Sequence, residues 1–206
     1  MHPNPVFRKT EKVQNLAFAR DRSFGTLSIN ADDGPLIAHV PFQLSEDGSY
    51  LEAHLVRSNP IARALKEPQK AVIAINGGDG YISPDWYGVE DQVPTWNYVA
   101  VHLRGNLRLL PDDALRGILE RLSDNMEVRL LPKPIWKLDK VSDDALGKML
   151  RQIVPIAMDI NDIDGTWKLT QNKTEKARLG AADALAGTGF GMQQSQIAEL
   201  MKNPPG

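Results

Sequence analysis

Apolar residues recur at every second position along much of the first half of this chain. In Tyr50–Val56, Leu51, Ala53 and Leu55 share one face, while Tyr50, Glu52 and His54 share the other. In Tyr98–Leu103, Val99, Val101 and Leu103 oppose Tyr98, Ala100 and His102. A period of two is the mark of a half-buried strand. Turn-forming pairs punctuate these runs. Asp33-Gly34 separates Gly25–Ala31 from Pro35–Leu44, and Asp47-Gly48 precedes Ser49–Val56. Asn76-Gly77-Gly78-Asp79-Gly80 follows Ala71–Ile75, and Asp164-Gly165 separates Ile153–Ile163 from Thr166–Gln171. Such pairs supply the positive φ angles of tight hairpins. The pattern predicts an antiparallel meander, closed as a barrel or stacked as a sandwich.

Helical periodicity appears between and after these strands. Asp112 is placed to cap a helix to about Ser123, with Leu115, Ile118, Leu119 and Leu122 on one stripe. Ser142 is placed to cap Asp143–Arg151. Pro60–Lys66 reads as a short helix, Lys173–Ala186 as a longer one, and Met192–Lys202 as a final amphipathic one. Gly187-Thr188-Gly189 reads as a joint, and 203–206 as a frayed end. The expected organisation is a β-rich body at about 20–110, returning near 153–171, with helices around it. That gives one domain over 1–187 and a helical tail over 188–206.

Composition narrows the class. The chain has 206 residues, 42% of them hydrophobic, which suffices for a core. Its 24 basic and 26 acidic residues give no general attraction to nucleic acid. There is no cysteine, so disulfides and thiol chemistry are excluded. Met1-His2-Pro3-Asn4-Pro5 lacks the basic and apolar regions of a secretory leader, and no apolar run reaches the roughly 20 residues of a membrane span. A cytoplasmic protein with no membrane partner is expected.

Four segments carry candidate chemistry. In His54-Leu55-Val56-Arg57-Ser58-Asn59-Pro60-Ile61-Ala62-Arg63 a strand ends and a helix begins. Asn59 suits an N-cap and Pro60 a first helical position. Free N–H groups there, with Arg57, Ser58 and Arg63 close in sequence, suit an anion. On spacing alone, a capped helix beside two solvated arginines is the better reading. Gln92-Val93-Pro94-Thr95-Trp96-Asn97-Tyr98 sets two aromatics around an amide, which suits a planar heterocycle. Its plainer reading is a strand start that buries Trp96. Tyr81–Tyr87 suits a lid or a dimer contact. In Gly165–Lys173, Trp167 suits the core, with Lys168 and Gln171 as polar contacts. No histidine pair has metal-ligand spacing, so no metal site is expected. The chain lacks a nucleophile elbow, a P-loop and a dinucleotide fingerprint. No catalytic residue declares itself.

These segments, in this order, resemble the PaiB-like family of FMN-binding negative transcriptional regulators. The resemblance is carried by Met1–Phe7, His54–Pro60, Ala74–Tyr87, Val93–Tyr98, Ile153–Ile156, Gly165–Lys173 and Arg178–Ala182. It implies an α+β fold, an antiparallel split β-barrel of the pyridoxamine-phosphate-oxidase-like group with peripheral helices. It also implies a homodimer with FMN at the subunit interface. Arg57, Ser58 and Asn59 then become phosphate ligands, with Arg63 behind them and His54 near the ribityl chain. Thr95, Trp96 and Asn97 approach the flavin, in one arrangement from the other subunit. The short Gly88–Asp91 connection departs from the longer, more basic segment expected in relatives.

The functional expectation is a flavoprotein, either a flavin-dependent oxidoreductase or a redox-linked regulator. A repressor acting on DNA or through a protein partner is the alternative. Direct DNA binding is not supported by charge, and no helix-turn-helix is evident. Haem binding through His39, His54 or His102 is a third alternative.

Overall fold

The alternation in Tyr50–Val56 becomes a strand in the computed structural model, which describes residues 1–205. In chain order the elements are helix α1 (Lys12–Arg22), strands β1 (Phe24–Ile29), β2 (Leu36–Leu44) and β3 (Tyr50–Val56), and helix α2 (Pro60–Ala64). Strands β4 (Gln69–Ile82) and β5 (Thr95–Leu109) follow, then helices α3 (Ala114–Glu127) and α4 (Asp143–Leu150). Strand β6 (Ile153–Lys168) and helices α5 (Glu175–Thr188) and α6 (Gln194–Lys202) complete the chain. The strand order is β1-β2-β3-β6-β5-β4, closed by pairing of β4 with β1. This is the expected α+β, antiparallel split β-barrel. The chain forms two compact units. Unit 1 comprises Met1–Phe18, Ile75–His102 and the residues from Ile163 on, and unit 2 comprises Ala19–Ala74 and Leu103–Asp162.

Unit 2 holds the antiparallel registers Thr26↔His39, Phe42↔Ala53 and His54↔Pro155. A strand's side chains alternate between faces, so each register sends one set inward. Leu27, Phe42, Leu51, Ile73, Leu103, Leu107 and Ile156 are all fully buried. Each such side chain stabilises the fold by about 1.5–3 kcal/mol relative to exposure. Helix α3 adds Leu115, Ile118 and Leu122 of the predicted stripe to the buried set, with Leu119 half-buried, and Arg121 bonds Glu52 through both carboxylate oxygens. Its N-cap is Asp113, one residue later than expected, and makes no side-chain cap bond. Asp112 is turned instead to Arg57.

Unit 1 has its own core of Ile82, Tyr87, Val99, Trp167, Leu169, Leu185, Ile197 and Met201 with several alanines. Small residues on α5 allow close packing, and α6 contributes Ile197, Ala198 and Met201 to the same core. Two expected turns are continuous strand. Asn76–Gly80 lies inside β4, and Asp164-Gly165 lies inside β6. The glycines there serve close approach, not turning. A Cβ at Gly80 would lie 2.8 Å from Leu185, and one at Gly165 would lie 2.1 Å from Asn15 Oδ1. The segment after α5 runs along β4, where the Asp79 N–H donates to the Met192 carbonyl and the Tyr81 N–H to Phe190. Helix α1 had no clear sequence signal, because Leu16 and Ala19 are its only buried apolar residues and the third buried position is the polar Asn15.

Candidate functional site

In unit 2 the end of β3 leads directly into α2. Asn59 caps that helix as predicted: its Oδ1 accepts from the Ile61 N–H at 2.9 Å. Arg57 is held in place by its own chain. Its Nε donates to the Arg151 carbonyl at 3.0 Å, and its Nη2 to the Ile153 carbonyl and the Asp112 carboxylate, both at 3.1 Å. A guanidinium has five N–H donors, so the two on Nη1 remain. Ser58 and Arg63 are exposed. His54, two residues before Val56, is half-buried, and its Nδ1 is buried without a hydrogen-bond partner among the described residues. Burial holds the His54 imidazole below its ordinary pKa by disfavouring the charged form.

In unit 1 the opening of β5 sets three side chains at once. Asn97 faces inward and is fully buried, whereas Trp96 faces out with 46% exposure. The plainer expectation of a buried Trp96 therefore fails, because strand alternation commits the inward position to Asn97. Trp96 instead meets Tyr81 and Phe190 edge-on, at ring-centre distances of 6.0 and 5.8 Å, and Tyr81 stacks on Phe190 at 5.2 Å. Asn97 Nδ2 donates to the Thr170 hydroxyl at 2.6 Å, and its Oδ1 is buried without a partner among the described residues.

A cavity of about 220 Å³ lies beside Asn97, lined also by Thr95, Tyr87, Lys168 and Lys173. Lys168 donates to the Thr95 hydroxyl and to the Trp96 carbonyl, and Lys173 to the Gln92 side-chain oxygen. Burial lowers the Lys168 pKa from its ordinary value. Burial likewise raises the Tyr87 phenol, against the opposing effect of a hydrogen bond with Thr170. Lys173 also sits 5.5 Å from the Tyr87 ring centre.

The expected residues thus divide into two sets. His54, Arg57, Ser58, Asn59 and Arg63 lie in unit 2, and Thr95, Trp96 and Asn97 lie in unit 1. The convergence of Thr170 and Lys173 on Asn97 was not foreseen. The unusual Gly165–Lys173 segment was the available signal, but sequence spacing cannot bring it to β5. Trp167 is buried as expected, and its indole N–H donates to Asn15. Gln171 folds back on its own turn, accepting from the Leu169 N–H at 2.8 Å and donating to the Trp167 carbonyl. The Tyr81–Tyr87 segment ends in a 3-10 turn, Pro84–Tyr87, that packs against α5 of the same unit. His39 is exposed and stacks on Phe24. No helix among the described residues is long and apolar enough to cross a membrane.

A family model described as "Putative FMN-binding domain" matches residues 1–162. Protease synthase and sporulation protein PAI 2 of Bacillus subtilis is 30% identical over 205 residues, covering 98% of this chain and 97% of that protein. Two solved structures share the fold. The flavocytochrome Anf3 from Azotobacter vinelandii superposes with a TM-score of 0.60 at 14% identity, over 93% of this chain and 81% of its own. The FAD and heme binding protein from Mycobacterium smegmatis gives 0.59 at 18% identity, over 90% and 82%.

Proposed function

This chain belongs to the FMN-binding domain family matched above, and on that premise we propose that it is a flavoprotein whose phosphate ligands are Arg57, Ser58, Asn59 and Arg63. The observation that carries this reading is the pair of spare polar groups at the end of β3. His54 Nδ1 is buried and has no partner among the described residues, which suits a ribityl hydroxyl. The Arg57 guanidinium is fixed by two carbonyls yet retains the Nη1 donors. A pre-oriented guanidinium loses less side-chain freedom on meeting a phosphate. Asn59 is committed to its cap, so it contributes through backbone geometry more than through its amide.

Thr95, Trp96 and Asn97 approach the flavin ring of a partner subunit in this reading. Support comes from the exposed Trp96 and Phe190 rings, which leave aromatic surface for a planar ligand. A homodimer is also favoured by Phe24 and Ile37, exposed at 54% and 58% on unit 2. Bound flavin supplies the redox chemistry, and the protein's groups bind and orient it. The role is that of a flavin-dependent oxidoreductase or a redox-linked regulator acting in the cytoplasm.

The test is a titration of purified protein with FMN and with riboflavin, followed by absorbance and fluorescence. Arg57→Ala is expected to weaken FMN tenfold or more and riboflavin little, since a charge-assisted bond to phosphate is lost. Equal loss of both flavins would place the phosphate elsewhere, and no binding of either by the native chain would end the flavoprotein reading.

A further inference from the structure

Lys168 and Lys173 line one cavity of about 220 Å³ in unit 1, and neither forms an ion pair among the described residues. Asp91 also lines it but pairs with neither lysine. An ammonium has three donors. Lys168 uses two, on the Thr95 hydroxyl and the Trp96 carbonyl, and Lys173 uses one, on Gln92. One donor on the first and two on the second are left for a ligand. Two unpaired cations in one cavity call for an anion.

The opposite need is met at Asn97. This residue is fully buried, gives its amino group to Thr170 and keeps a buried Oδ1 with no donor among the described residues. Buried acceptors are rarely left so. Thr170, which fixes Asn97, holds a φ of +65°, an outlier for a β-branched residue. Asp91 is also left-handed, at +56°, a conformation that aspartate tolerates. Strain such as that at Thr170 gathers at ligand sites. Tyr87 and Phe7 give the cavity aromatic wall.

We propose that this cavity binds a small aromatic carboxylic acid that carries a hydrogen-bond donor. The carboxylate meets Lys168 and Lys173, the ring meets Tyr87 and Phe7, and the donor meets Asn97 Oδ1. The volume lies below the ~300 Å³ at which sites for drug-sized ligands begin, which favours a single ring. The inference deepens the flavoprotein reading, since a bound acid is a candidate substrate for a flavoprotein. Binding itself needs no flavin, so the two fail separately.

The experiment is calorimetric titration of flavin-free, full-length protein with 4-hydroxybenzoate, benzoate and 4-hydroxybenzamide. Binding of 4-hydroxybenzoate is expected, with benzoate about tenfold weaker for want of the donor and the amide not bound. Lys173→Gln and Lys168→Gln are each expected to weaken 4-hydroxybenzoate tenfold or more, and Lys173→Gln, at a position that bonds none of the residues assigned to the flavin, to leave FMN affinity unchanged. Circular dichroism checks the fold, and Lys173→Gln carries the test alone if the other variant misfolds. No binding by the native chain, or binding that survives both substitutions, overturns the proposal. A loss of FMN affinity without loss of riboflavin affinity in these variants assigns the lysines to the flavin phosphate, and overturns it equally.

Discussion

The Trp167 indole N–H donates to Asn15 Oδ1 at 2.8 Å, joining two buried residues 152 positions apart. Asn15 also donates to the Thr10 carbonyl at 3.2 Å. One amide thus ties β6, α1 and the N-terminal segment within unit 1. Leaving the indole N–H unpaired costs about 1–3 kcal/mol.

Asn15→Ala is therefore expected to lower stability by about 2 kcal/mol in urea unfolding. Gly165→Ala should cost more, because its Cβ would lie 2.1 Å from Asn15 Oδ1. The two losses should not add: Gly165→Ala in the Asn15→Ala background should be milder, since the clashing atom is gone. Strict additivity would show that the contact does not govern either loss.

Asp112 competes with a phosphate for Arg57. Their pair is exposed, at 69% and 48% of the two side chains, so it contributes only ~0–1 kcal/mol. Asp112→Asn is expected to leave the melting temperature nearly unchanged and to tighten FMN about two- to fivefold, with riboflavin unaffected. Weaker FMN binding by this variant would mean that Asp112 positions Arg57 instead of competing for it.

His54 gives the fold a pH dependence of definite sign. Burial sets its folded pKa below the ordinary 6.5, so the unfolded chain takes up the proton first as pH falls. Its contribution is intact above about pH 6.5 and is lost between 6.5 and the lowered folded pKa. His2 adds in the same direction, through burial and then the nearby Lys168 charge. Melting temperature should fall from pH 7.5 toward 5, and His54→Gln should flatten the curve. An unchanged slope in the variant would assign the effect elsewhere.

Thr170 separates strain from hydrogen bonding. Thr170→Ala leaves both ends of the Asn97 amide unpaired and keeps the left-handed backbone, for an expected loss of about 2–3 kcal/mol. Thr170→Gly loses the same bond but relieves the backbone, so it should be the milder change by about 1 kcal/mol. Thermal melts of the pair decide it; a milder alanine would mean that the backbone there is unstrained.

Removing residues 189–206 should damage unit 1 specifically. Ile197, Ala198 and Met201 are wholly buried, and the Asp79 and Tyr81 N–H groups lose their partners. The shortened chain is expected to melt lower and to be cut by protease within 75–102 first. Cleavage that begins in unit 2 would contradict this.

The strand ladder was legible because alternation in Tyr50–Val56 and the Asp33-Gly34 and Asp47-Gly48 turns obey local rules. The helix caps at Asn59 and Ser142 were legible for the same reason. Asn76–Gly80 and Gly165 misled, because glycine serves a turn and a close approach equally well in sequence, and only Leu185 and Asn15 distinguish the two. The cavity around Asn97 was hidden for a related reason. Thr170 and Lys173 reach it from more than 70 positions away, and nothing in their spacing announces the meeting.

Unit 1 is assembled from both ends of the chain and a middle stretch, with Trp167 and Asn15 as its latch. During synthesis its N-terminal piece must wait until the residues from Ile163 on have left the ribosome. Contacts this distant in sequence close slowly. Unit 2 needs the chain only as far as Asp162, so it can close first. Indole fluorescence from Trp167 should therefore mark the final step of folding, and the lysine-lined cavity comes into being only when that step is done.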